Sequence, residues 1–128
     1  MSVAHAHQRE VGTDWRALLR HLRAVLSPDS NKPLSQEKMG QLLDVSWRTV
    51  ARWESEAAPA GRNATKIQNL GHAVDLLGNM LERKDRVTFF ASPHRLLLNL
   101  RPITLLESDE GAALVFEQIE GAASGAFA

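Results

Sequence analysis

Cysteine and tyrosine are both missing from this chain of 128 residues. Without cysteine there is neither a disulfide nor a thiolate metal site. Long apolar runs are missing as well, and nothing approaches the ~20 residues of a membrane span. The opening stretch, MSVAHAHQREVGTD, has no apolar core and does not read as a signal peptide, so the expected location is the cytoplasm. β-branched residues are sparse and aromatics make up only 5% of positions. Helix formers dominate instead, which predicts an all-α fold.

The means for catalysis are also lacking. There is no nucleophile–base pair, no Gly-rich phosphate loop and no cluster of metal ligands, so an enzyme is not expected and no cofactor or metal is called for. His5 and His7, two positions apart without a third ligand, read as part of a solvated tail. His94 beside Arg95 is the one suggestive polar pair, and it reads as a surface pair in a cap region.

Basic residues are absent from the last stretch. Residues 102–128 hold five acids and no Lys or Arg, whereas residues 1–101 hold all 15 bases and 10 acids, a net of +5. The overall balance of zero thus hides a mildly basic body and an acidic end. A basic body suits a nucleic-acid partner without demanding one, and the acidic end is expected to face something else.

What is present is a stretch organised as two short helices around a turn: LSQEKMGQLLDVSWRTVARWE, Leu34 to Glu54. Ser35 is an N-cap, and Met39, Leu42 and Leu43 give the first helix its apolar face. Asp44-Val45-Ser46 interrupts the pattern. Ser46 caps a second helix in which Val50 and Trp53 recur at helical spacing. Its outward face carries Trp47, Arg48, Thr49 and Arg52, the donors a major groove requires near a helix N-terminus.

Before this stretch, residues 1–12 are expected to form a flexible start. Thr13 is expected to cap a first helix bearing Trp15, Leu18, Leu19, Leu22, Val25 and Leu26 on one stripe. Arg16, Arg20 and Arg23 lie opposite, as a solvated face or as phosphate contacts. The turn-rich Ser27–Pro33 ends that helix. Beyond Pro59 and Gly61, a long helix from Ala64 to Leu81 is expected, with Arg62 and Lys66 near its start as further phosphate candidates. Gly71 and Gly78 cost this helix about 1 kcal/mol each against Ala and invite close packing. Glu82–Arg86 reads as a charged hinge, dividing a first unit at 13–82 from a second at 83–128.

In the second unit, Ser92-Pro93 reads as an N-cap with Pro at the first helical position. A short helix follows from Arg95 to Leu100 and stops at Pro102. Ser108, Asp109 and Glu110 open a last helix that buries Val115, Phe116, Ile119 and Ala122 on one side. After Gly121 the residues are small, apart from Phe127. An apolar residue so placed either docks on its own body or inserts into a partner.

The Leu34-Ser35-Gln36, Val45-Ser46 and Trp53-Glu54 punctuation resembles the Xre/Cro-type helix-turn-helix, with Asp44 standing where Gly is usual. Asp tolerates the left-handed backbone such a turn needs. The second half is similar to the toxin-binding domain of the Xre/MbcA/ParS antitoxins. The likeness rests on Phe90, Ser92-Pro93-His94-Arg95-Leu96-Leu97, Pro102 with Leu105-Leu106, Glu110-Gly111, Val115, Ile119 and Gly125-Ala126-Phe127-Ala128. The MbcA-like members are nearest in pattern. Two departures stand out: Asn99-Leu100-Arg101 replaces a usual Leu-Gly-Gly before the proline, and Ser124 replaces a common aromatic.

The resemblance implies a type II antitoxin. Such a protein blocks the active site of a RES-domain toxin that consumes NAD or transfers ADP-ribose, and represses its own operon. Gln36, Ser46, Trp47, Arg48, Thr49 and Arg52 would then contact operator DNA. Ser92, Pro93, Arg95, Pro102, Gly125, Ala126, Phe127 and Ala128 would contact the toxin. A homodimer or a larger toxin–antitoxin assembly is implied, and no membrane. The alternative is a stand-alone Xre-family transcriptional regulator whose C-terminal region only dimerises.

Overall fold

The structure, a computed structural model, describes residues 13–123. These form α1 (Trp15–Leu26), α2 (Gln36–Leu43), α3 (Trp47–Ser55), α4 (Gly61–Leu77), α5 (Arg83–Ala91), one 3-10 turn (Arg95–Leu97), α6 (Pro102–Leu105) and α7 (Asp109–Ala123). No strand occurs among the described residues; a lone bridge joins His94 and Leu100. The all-α expectation therefore holds. Expectations on residues 1–12 and 124–128, including His5, His7, Ser124 and the Gly125–Ala128 tail, lie outside the described residues.

Local chemistry explains most of the helix boundaries. Asp14, not Thr13, caps α1: its carboxylate accepts from the Ala17 N–H at 3.0 Å. Ser35 accepts from Lys38 N and Ser46 from Thr49 N, so both expected serine caps are present. Asp44 closes α2 in the left-handed conformation, φ 62° and ψ 40°. The turn also needs a glycine four residues earlier. A Cβ on Gly40 would lie 2.6 Å from the Val45 carbonyl oxygen, so only glycine lets the turn fold back this tightly.

The long helix is shifted from its expected span. It begins at Gly61 and ends at Gly78, whose φ of 51° and ψ of −124° suit glycine alone. Gly78 is thus a terminator and not an interior packing position. The charged segment Glu82–Arg86 is no hinge. Glu82 precedes α5, Arg83–Arg86 form its first turn, and two of its arginines bind α1: Arg83 donates to the Ala24 and Ser27 carbonyls, and Arg86 to that of Val25. Charge alone suggested solvent; the free carbonyls at the C-terminal end of α1 recruit these guanidiniums instead.

Ser92 ends α5 and does not start a new helix, and His94 precedes the 3-10 turn. Leu98 and Asn99 both adopt positive φ, 61° and 60°, so the expected helix to Leu100 is cut to a single turn. Pro102 opens α6 where it was expected to stop a helix. Ser108 caps α7 as expected, accepting from Gly111 N at 3.0 Å.

One continuous core runs through both halves. Leu19, Leu22 and Leu26 of α1 join Met39, Leu43 and Val50, then Ile67, Leu70 and Val74 of α4, then Phe90, Ile103, Leu106, Val115 and Ile119. Phe116 is half-buried against it, whereas Ala122 is exposed. α7 packs along α4, and Asn69 of α4 donates to the Leu106 carbonyl at 3.0 Å.

Candidate functional site

The α2–α3 pair presents one candidate face. Trp47 opens α3 with 47% of its surface exposed. The Arg48 guanidinium lies 5.1 Å from the centre of the Trp47 ring, a cation–π distance that organises both groups without hiding them. Arg48 and Arg52 are exposed. The Ser46 hydroxyl is committed to its cap and to the Thr49 hydroxyl, 3.1 Å away. The face therefore offers an indole and the Arg48 guanidinium at the N-terminal end of α3, and the Arg52 guanidinium in its last turn.

Other predicted contacts are turned inward. The Gln36 amide donates to Glu54 at 3.2 Å. Arg16 donates to the Glu54 carbonyl at 2.7 Å, and Arg23 to the Leu34 carbonyl at 2.7 Å and to both Glu54 carboxylate oxygens. Arg23 is half-buried and Arg16 exposed, and both tie α1 to the ends of α3 and α2, whereas Arg20 is exposed on the face expected to be solvated. Lys66 is buried as well. Its ammonium donates to the Leu43 carbonyl at 2.5 Å and pairs with Glu107 at 3.5 Å. Of the two phosphate candidates on α4, only Arg62 is exposed.

A second face surrounds the 3-10 turn. The segment from His94 to Leu100 closes on itself: the His94 carbonyl accepts from Leu97 N and Asn99 N, and His94 N donates to the Leu100 carbonyl. The His94 ring nitrogen Nε2 sits 2.9 Å from the Phe89 carbonyl, so His94 braces the loop and is not a surface partner of Arg95. The closed loop displays Leu96 and Leu98, which are 63% and 73% exposed.

Beside this loop lies an open apolar groove of about 630 Å³, lined among others by Met80, Phe89, Arg95, Leu96, Ile119 and Ala122. Arg95 is exposed, so a guanidinium joins His94 and Gln118 as the polar groups of a mainly apolar surface. Pro93 is exposed and Ser92 half-buried, but Pro102 is buried under the start of α6 and shapes the site without lining its surface.

Sequence reasoning missed Met80, Phe89, Leu96 and Leu98 as surface residues of a site. The run Leu96-Leu97-Leu98 carried a partial signal. Three consecutive leucines cannot all face one core from a single turn, and only Leu97 does. No group of three or more potential metal ligands occurs among the described residues, and no described helix is long and apolar enough to cross a membrane.

No family model matches the chain. It is 32% identical over 95 residues to the mycobacterial cidal antitoxin MbcA of Mycobacterium bovis and of Mycobacterium tuberculosis, covering 73% of this chain and 83% of the relatives. The fold is similar to a chain in the crystal structure of the M. tuberculosis MbcT–MbcA toxin–antitoxin complex. The TM-score is 0.66 at 26% sequence identity, with 91% of this chain and 99% of that one covered.

Proposed function

This chain belongs to the family of the MbcA antitoxins, and we propose that it binds and neutralises a cognate toxin through the face around the 3-10 turn. The observation that carries this reading is the coverage of the likeness. It extends over 91% of this chain, and the solved relative comes from a toxin–antitoxin complex.

The chemistry suits a protein partner. Leu96 and Leu98 stand in water at an energetic cost that burial against a partner reverses, by ~25 cal/mol for each Å² covered. Arg95 adds a fork that pairs with carboxylate or phosphate-like groups. The toxin is of the RES type, consumes NAD or transfers ADP-ribose, and has its cleft blocked by the C-terminal region with residues Gly125 to Ala128. Trp47, Arg48, Thr49 and Arg52 read the promoter of the chain's own operon, and the assembly is a dimer or larger, since two half-sites need two readers.

Affinity capture of the tagged chain from its own cells tests the reading. The expected result is a comparable amount of one RES-type protein, inactive on NAD until released. Deleting residues 125–128 then abolishes inhibition while folding and promoter binding persist. Recovery of the chain alone on DNA would replace this reading with a stand-alone regulator; unchanged inhibition by the shortened chain would remove the tail from the mechanism.

A further inference from the structure

Asp44 is out of place on a surface that meets DNA. It ends α2 with a left-handed backbone, three residues before Trp47 opens α3, and its carboxylate is 53% exposed. In the proposed DNA-bound state, a carboxylate at this turn just ahead of α3 adds negative charge beside the duplex, and like-charge apposition opposes binding. The charge is met from the other half of the chain. Arg101, the residue before α6, places Nη2 2.9 Å from Asp44 Oδ2 and 3.3 Å from the Thr104 hydroxyl. Its side chain is 35% exposed, so it lies on the surface and not in the core.

The neighbouring charges cannot take over this role. Lys66, buried below, is committed to the Leu43 carbonyl and Glu107, and Arg62 reaches Glu107 at 4.0 Å. With Asp44 and Glu107 as the acids and Arg62, Lys66 and Arg101 as the bases, this corner is net positive only while Arg101 is present.

We infer that Arg101 is a positioning residue for DNA reading: it neutralises Asp44 and holds its carboxylate aside, making an acidic turn compatible with a duplex. The inference rests on the promoter-binding part of the proposed function. It assigns to the segment beside the toxin-facing loop a share in operator affinity.

The test is a double-mutant cycle on the full chain. The probe is a labelled duplex spanning the region immediately upstream of the chain's own reading frame, titrated at several salt concentrations. Asp44→Gly removes the charge without straining the turn, because glycine adopts the same backbone. Arg101→Ala is expected to weaken binding several-fold and to lower the slope of log affinity against log salt by about one. Asp44→Gly with Arg101→Ala is expected to restore the wild-type affinity and slope, and Arg101→Lys to retain most of the affinity.

Unfolding curves run in parallel separate this effect from a loss of structure. Wild-type binding by Arg101→Ala overturns the inference. So does a double variant as weak as Arg101→Ala, which would mean that Arg101 touches phosphate itself. If the wild-type chain binds the duplex no better than Arg48→Ala/Arg52→Ala, DNA reading itself fails and the inference fails with it.

Discussion

One nitrogen of Arg23, Nη1, donates to both carboxylate oxygens of Glu54, at 2.9 and 3.1 Å. Glu54 is buried at the end of α3, and its carboxylate also accepts from Gln36 at the start of α2. Three helices are thereby joined at one charge. Glu54→Ala leaves the half-buried Arg23 guanidinium without its counter-charge, and a cost of about 3 kcal/mol is expected, the low end for breaking a buried pair. Replacing both partners by apolar residues, Arg23→Met with Glu54→Leu, is expected to cost less. Urea unfolding of the three chains checks this; equal losses in the single and double variants would refute it.

Gly78 is expected to resist substitution for a backbone reason. At φ 51° and ψ −124°, Gly78→Ala incurs about 1–3 kcal/mol of strain. The thermal midpoint falls while the helical signal of the folded state stays unchanged.

Arg48→Ala with Arg52→Ala tests the α3 face. Both side chains are exposed, so stability stays within about 0.5 kcal/mol of wild type. Promoter binding is expected to be lost in a gel-shift titration while toxin capture persists. A normal shift by this variant would remove α3 from DNA reading.

The leucine loop gives the complementary prediction. Leu96→Ser with Leu98→Ser changes two side chains that are 63% and 73% exposed, so folding is expected to be spared and toxin inhibition weakened. Full inhibition, together with a smaller mass in light scattering, would assign the loop to dimerisation instead.

Much of the fold was legible because it is written in short-range chemistry. The serines at 35, 46 and 108 cap helices whose apolar spacing is explicit. The α1 stripe buries Leu19, Leu22 and Leu26 as its period predicts. The segments misread were those whose partners lie far along the chain. Glu82–Arg86 looks like a hinge until the carbonyls of α1, some sixty residues earlier, are brought beside it. Lys66 and Gln36 look like free polar groups until Leu43, Glu107 and Glu54 arrive to bind them.

The sequence by itself determined the helical class, the caps at Ser35, Ser46 and Ser108, the left-handed turn at Asp44 and the family likeness in both halves. Each of these depends on residues within a few positions of one another, where propensity and periodicity act. Only the tertiary structure decided which charges remain available to a partner. It consumed Arg16, Arg23, Lys66, Arg83 and Arg86 in holding helices together, and left Arg48, Arg52 and Arg95 exposed. It also brought together two of the departures from the family patterns, Asp44 and Arg101, in a single ion pair. A side chain's spacing along a helix fixes its direction. Whether a carbonyl or a carboxylate waits there depends on how distant segments pack, and no local pattern carries that information.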